Sequence, residues 1–344
     1  MKCAELTSVG NLAIAMRGEP EAGPWDVLVD VDACCVCRTD RKAYAMGQRD
    51  LVLPRILGHE IAGRVKAVGS LVEGFKAGDR VQVPPGVGCG ACAYCLSGAD
   101  NLCQDVRIVG FHVDGGFSEL LRVPGSAGRP AGLLPVPDAL DARTAALTEP
   151  LACCLNMQRR MGMEDAETAV VFGGGPAGAL SAKLARALGA RRIAVVEPDE
   201  RRRKLAALYS DCQFDFDSQT VGRILEMSGG KGADAVLPCC PGNAAMAMAL
   251  EVAAKRGKVG FFSGLTETSI ATAAVNLMHY KELRVVGSYG CSFSDNREAL
   301  ALLASGKVDV EGLPGVDISW EELKDNLSRL DASAHMFAFF RPNP

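Results

Sequence analysis

The sequence predicts a two-domain α/β protein, and three observations carry that prediction. With 344 residues and 48% hydrophobic content, the chain can fill two cores at roughly 150 residues per domain. Residues 1 to about 140 are rich in glycine, proline and short β-type runs bounded by turn signals, which reads as an all-β half. From about Thr168, apolar strand-like runs alternate with helical stretches, the pattern of a parallel sheet with helices on its faces.

In chain order, Val27-Leu28-Val29-Asp30-Val31 and Arg80-Val81-Gln82-Val83 are the clearest strands of the first half. In the second half, strands are expected at Ala169–Phe172, Arg192–Val196, Gln213–Phe216 (the weakest pattern), Asp234–Leu237, Lys258–Phe262 and Leu283–Val286, with a helix at Asn243–Ala253 among the connections. The tail, from about Ser288, carries an amphipathic helix at Asn296–Ser305. It ends in Phe337-Ala338-Phe339-Phe340, which is expected to fold back on the first domain. No repeat of 20 to 50 residues is present.

Charge and termini exclude several classes of function. The 37 basic and 41 acidic residues give a net charge of −4 with no long basic run, so no nucleic-acid partner is expected. The start, Met1-Lys2-Cys3-Ala4-Glu5, has no apolar signal core, and no stretch reaches the roughly 18 apolar residues of a membrane span. A cytoplasmic protein without a membrane partner is expected. Fourteen cysteines are too sparse for a disulfide scaffold, so in a reducing compartment they serve as thiols or metal ligands.

Cys89, Cys92, Cys95 and Cys103 are spaced Cys-x2-Cys-x2-Cys-x7-Cys, with Gly88, Gly90 and Gly98 freeing the backbone to bring four thiolates to one point. Tetrahedral zinc takes such a set at about 2.3 Å, and a closed four-cysteine shell leaves no position for substrate, so the site is expected to be structural. An iron–sulfur cluster uses the same ligands. A second, dispersed set is Cys37, the pair His59-Glu60 after Gly58, and Glu149. Each alone reads as a small core residue or a satisfied polar group; together they supply the three protein ligands and open position that a catalytic zinc requires.

Val170-Val171-Phe172 leads into Gly173-Gly174-Gly175-Pro176-Ala177-Gly178, a strand followed by Gly-x-Gly-x-x-Gly and a helix expected over Ala179–Leu188. Gly173 makes the tight turn, Gly175 lets the backbone approach a pyrophosphate, and Gly178 permits close helix–strand packing. Glu197, 19 residues beyond Gly178, stands where a carboxylate reads the ribose hydroxyls and repels a 2′-phosphate. NAD is therefore favoured over NADP. Arg201-Arg202-Arg203 lies within reach of the adenosine end, and Arg202 is the residue that would hold a 2′-phosphate. The cofactor set is expected to extend to Ser263, Gly264 and Leu265 and to Tyr289.

These motifs, in this order and over essentially the whole chain, resemble the zinc-containing medium-chain dehydrogenase/reductase family, nearest its polyol and threonine dehydrogenase branches. Further segments support the likeness: Gly63 to Asp79, Asp114-Gly115-Gly116-Phe117-Ser118-Glu119, and His279-Tyr280-Lys281-Glu282-Leu283. The resemblance implies a GroES-like β-barrel catalytic domain over 1–145 with 288–344 returning to it, and a Rossmann domain over 146–287. It implies two zinc ions per chain, with Cys37 and His59 as catalytic ligands and Glu60 or Glu149 as the third. Asp40 would orient His59, Thr39 would take the substrate's proton, and Arg38 would contact the pyrophosphate or lie exposed. His112 would touch substrate or make a structural contact.

Two positions depart from the family pattern. Where several alcohol dehydrogenases end their proton relay on a histidine, this sequence has Lys42, readable as a base, an anion contact or an exposed residue. The arginine that polyol dehydrogenases place after the last Rossmann strand is replaced by Gly290-Cys291, so sorbitol itself is not expected. The implied activity is hydride transfer between NAD(H) and a secondary alcohol or ketone, such as a polyol, cyclitol or amino alcohol, in a homodimer or homotetramer. The alternatives are an NADPH-linked carbonyl reductase and a non-catalytic NAD-binding relative. The other nine cysteines, with the pairs Cys34-Cys35, Cys153-Cys154 and Cys239-Cys240, show no ligand pattern.

Overall fold

The computed structural model describes residues 1–126, 131–264, 272–329 and 335–342. The chain divides into two units, one of Met1–Glu149, Cys291–Gly306 and Leu313–Pro344, the other of Pro150–Gly290 and Lys307–Gly312.

The first unit is organised by β1 (Val27–Cys35), whose side chains are mostly buried on both faces because the sheet is covered on both sides. It pairs antiparallel with β2 (Glu60–Val68), with Leu120–Val123 and with the tail strand Phe337–Phe340, in which Phe339 faces Cys35 and Phe340 faces Cys34. All four tail residues are buried. Phe340 meets Phe117 and Trp320 edge-on at 5.7 and 4.7 Å, contacts worth about 0.5–1.5 kcal/mol each beyond the area they bury.

The sequence reads this half as all-β, but the structure adds a helix, α1 (Arg38–Met46), directly after β1. Its cap is Cys37 rather than a serine, threonine or asparagine, so the usual start signal is absent. The tail carries two more helices, Phe293–Ala304, where the sequence predicts Asn296–Ser305, and Trp320–Ser328, which start at Ser292–Asp295 and Ser319–Glu322 capping boxes.

The second unit is a six-stranded, wholly parallel sheet. Its strands are β3 (Thr168–Phe172), β4 (Arg192–Val196), β5 (Cys212–Phe214), β6 (Ala233–Pro238), β7 (Ala253–Phe261) and β8 (Arg284–Gly287), in the order β5-β4-β3-β6-β7-β8. This is the doubly wound sheet that the alternation predicts. The winding reverses between β3 and β6, and every strand delivers its following loop to the same carboxyl edge, where such sheets bind ligands. The helix after β3 is α2 (Pro176–Ala187), starting three residues earlier than expected. Proline fits that first turn because its missing N–H has no intrahelical partner there.

Candidate active site and metal centres

Cys37 is placed by the start of α1. Its Sγ accepts from the Thr39 backbone N–H at 3.4 Å, while Asp40 Oδ2 accepts from the Cys37 backbone N–H at 3.0 Å, a reciprocal cap. The other oxygen of Asp40, a fully buried residue, accepts from Gly58 N at 3.2 Å. That oxygen also lies 3.2 Å from His59 Nδ1, within ion-pair range but without hydrogen-bond alignment. Asp40 thus joins the first turn of α1 to the turn before β2 and lies against His59 Nδ1, so Nε2 is the ring nitrogen that could serve as a metal ligand. Gly58 has φ +96°, and a Cβ there would lie 2.7 Å from Cys34 Sγ, so glycine is required.

The ligand atoms of Cys37, His59 and Glu60 lie within 4.8 Å of one another. Burial pushes the Cys37 thiol up to about 11 and the Glu60 carboxyl up to about 8, the latter raised further by Glu149. Burial disfavours the His59 cation, yet Asp40 and Cys37 outweigh it and hold that imidazole well above its usual range. The sulfur, imidazole and carboxyl of these three residues fit the ligand set of zinc with one position open, and a divalent cation would displace the protons they carry. Glu149, also buried, stands to one side, its Oε1 3.9 Å from Cys291 Sγ.

The other sequence candidates are placed unevenly. Thr39 is partly exposed, with Oγ1 3.6 Å from Cys37 Sγ. Lys42 and Arg38 are exposed. His112 Nδ1 accepts from Ile108 N at 3.1 Å, a bond that closes its own turn. The ring that meets His59 is Phe111, with centroids 5.4 Å apart. The sequence places Phe111 in a loop, Phe111 to Asp114, expected to shape the cleft, but a single phenylalanine beside a histidine carries no spacing signal for its contact with His59.

The four-cysteine lobe also converges, with the sulfurs of Cys89, Cys92, Cys95 and Cys103 within 4.8 Å of one another. Backbone N–H groups of Ala91 and Cys92 point at Cys89 Sγ at 3.5 and 3.3 Å and pull its thiol down to about 6. This thiolate-favouring turn fits a structural zinc.

At the carboxyl edge of the second unit, Gly173 has φ +103° and its N–H donates to Val196 O at 2.8 Å. Gly175 caps α2, Pro176 and Ala177 form its first turn, and a Cβ on Gly178 would lie 1.8 Å from Gly173 O. Glu197 is buried, accepting from Gly174 N at 2.6 Å and Asp199 N at 2.9 Å. In α3 (Glu200–Leu205), the Arg202 backbone N–H donates to Asp199 at 2.9 Å, and the Arg203 guanidinium is held by Glu197 O at 2.7 Å. Ser263 and Gly264 follow β7, and the exposed Tyr289 follows β8, on the same edge. Leu265 lies outside the described residues.

A Cys37–His59–Glu60 trio in one unit and a Gly-x-Gly-x-x-Gly turn between a strand and a helix in the other fit a zinc-binding, nicotinamide-dependent oxidoreductase. Residues 23–138 match the alcohol dehydrogenase GroES-like domain, and residues 176–305 match the zinc-binding dehydrogenase domain. A zinc-type alcohol dehydrogenase-like protein of Haemophilus influenzae is 31% identical, covering 100% of this chain and 98% of its own. L-galactonate-5-dehydrogenase of Escherichia coli is 32% identical, covering 88% of this chain and 86% of its own. A solved structure described as a zinc-binding dehydrogenase from Sinorhizobium meliloti, bound to NADP, superposes with a TM-score of 0.89 at 31% identity, covering 99% of each chain. The chain belongs to the zinc-type medium-chain alcohol dehydrogenase family. It is an oxidoreductase of CH–OH groups that uses zinc and a nicotinamide cofactor.

Proposed function

We propose that the chain oxidises a secondary alcohol bearing neighbouring hydroxyl or amino groups, a polyol, cyclitol or amino alcohol, with NAD as acceptor and two zinc ions per chain. The observation that carries this reading is the mutual approach of Cys37, His59 and Glu60 with Asp40 behind them. The relative named for L-galactonate, a polyhydroxylated acid, supports the substrate class. Glu60 is the third ligand of the catalytic ion, and Glu149 is the neighbouring carboxylate. The four-cysteine lobe holds the second ion.

When bound, zinc would supply Lewis-acid polarisation of the alcohol oxygen, and a nicotinamide cofactor would supply the hydride acceptor. The chain's own residues prepare that step. Asp40 fixes the ring of His59 and the cap of α1, so two ligands keep their geometry through one carboxylate. Thr39, two residues past Cys37, presents the hydroxyl that takes the substrate's proton. Phe111 covers the His59 ring and keeps water from it. Lys42, being exposed, is left out of this machinery. Gly173, Gly175, Pro176, Ala177 and Gly178 hold the pyrophosphate at the start of α2, and Ser263, Gly264 and Tyr289 complete the rim. The sheet ends on β8, an edge that supports pairing with a second copy in a homo-oligomer. Among the described residues no helix is long and apolar enough to cross a membrane, and a cytoplasmic location is proposed.

The direct test incubates metal-replete protein with NAD and a panel of polyols, cyclitols and amino alcohols, following absorbance of the reduced nicotinamide. Turnover with at least one class is expected. Tight NAD(H) binding with no absorbance change for any alcohol or ketone would sink the reading.

A second reading, an NADPH-linked carbonyl reductase using Arg202 for the 2′-phosphate, is favoured by the NADP in the solved relative. Glu197 argues against it, because like charges placed together cost several kcal/mol. NAD is expected to bind tighter than NADP, and Glu197→Gln to cut that preference by about tenfold, equivalent to 1.4 kcal/mol. Titration of both cofactors against both proteins checks this; tighter NADP binding by the wild type would replace the first reading with the second.

A further inference from the structure

We infer that Tyr209 is a positioning residue for the cofactor: its hydroxyl, acting opposite Glu197, clamps the middle glycine of Gly173-Gly174-Gly175 in the shape that receives the pyrophosphate. The inference rests on the reading of that loop as the dinucleotide site.

Three consecutive glycines have more backbone freedom to lose than any other tripeptide, and a loop ordered only by its ligand spends binding energy on the ordering. Here Gly174 is held from both sides before any ligand arrives. Its N–H donates to Glu197 Oε2 at 2.6 Å, and its C=O accepts from the Tyr209 hydroxyl at 3.1 Å. Glu197 and Tyr209 are only 4% and 6% exposed, so water does not readily take over either bond. Burial and the Glu197 charge raise the phenol above its ordinary range, which keeps it a donor at every working pH.

Tyr209 reaches this position through a closed circuit. Asp199 N donates to Glu197 Oε1 at 2.9 Å, and Asp199 caps α3 through Arg202 N at 2.9 Å. After α3 the chain turns through Ala206–Leu208, and Tyr209 N bonds Ala206 O at 3.1 Å, returning the ring to Gly174. The segment carrying the three arginines and the glycine loop are therefore one hydrogen-bonded assembly. A lone tyrosine after a charged helix gives no sequence signal for such a role.

Tyr209→Phe removes the donor and keeps the ring. Losing one buried hydrogen bond of about 1 kcal/mol is expected to raise the dissociation constants of NAD(H) and NADP(H) by a common factor of about five, with kcat at saturating cofactor unchanged. Amide exchange at Gly173, Gly174 and Gly175 is expected to quicken in the cofactor-free variant and to return to the wild-type rate with cofactor bound. A lowered melting temperature with unchanged dissociation constants and unchanged exchange in the loop would show a purely structural tyrosine and overturn the inference. Wild-type protein that binds neither dinucleotide would overturn the reading of the loop itself, and the clamp with it.

Discussion

Cys37→Ser is expected to lower metal content from two ions per chain to one and to reduce kcat/KM by about 10³-fold or more. The substitution is informative because serine separates the observed capping role of Cys37 from its proposed role as a metal ligand. As the cap of α1 its side chain accepts a backbone N–H, and serine is among the best residues for that task. As a ligand it must supply an anionic sulfur, which a neutral hydroxyl does not replace. The fold should therefore persist, with Asp40 still bonded to the backbone at residue 37, while one ion and the activity are lost. Elemental analysis beside steady-state kinetics reads both effects. Two ions in both proteins, with turnover within a few-fold, would remove Cys37 from the catalytic site.

Gly178→Ala is the complementary experiment in the second unit. The added methyl would stand 1.8 Å from the carbonyl oxygen of Gly173, and neither partner is a flexible side chain. Either the start of α2 or the turn at Gly173 must move. Overpacking of this kind costs typically 1–3 kcal/mol, so NAD(H) affinity is expected to fall by about 10- to 100-fold. Metal content should stay at the wild-type value, because the proposed zinc ligands Cys37, His59, Glu60, Cys89, Cys92, Cys95 and Cys103 all lie in the other unit. Calorimetric titration with NADH checks it; unchanged affinity would mean that the pyrophosphate does not rest on this loop.

Cys37→Ser and Gly178→Ala address the features that were legible in the sequence. Zinc-type spacing in Cys89, Cys92, Cys95 and Cys103 is readable because the ligands share a few turns of chain. The glycine loop is readable because each glycine answers a local backbone demand, and the six parallel strands because buried β-runs alternating with helices have few other solutions. Helix starts were less legible: α1 is capped by a cysteine, and α2 opens on Pro176, ahead of the alanine run that marks its core.

Taken alone, the sequence determined the two-domain α/β class, the four-cysteine site and the dinucleotide loop, since each depends on residues near one another along the chain. The tertiary structure decided which dispersed groups meet. It brought Glu60 within 4.8 Å of Cys37 and His59 and set Glu149 aside beside Cys291. It placed Phe111 rather than His112 on the His59 ring, left Lys42 exposed, and turned Tyr209 onto Gly174. The reason is physical: a donor set or clamp assembled across 20 or more residues depends on strand register and on the exit direction of each turn. Those are fixed by the packing of the whole core, and no local pattern encodes them.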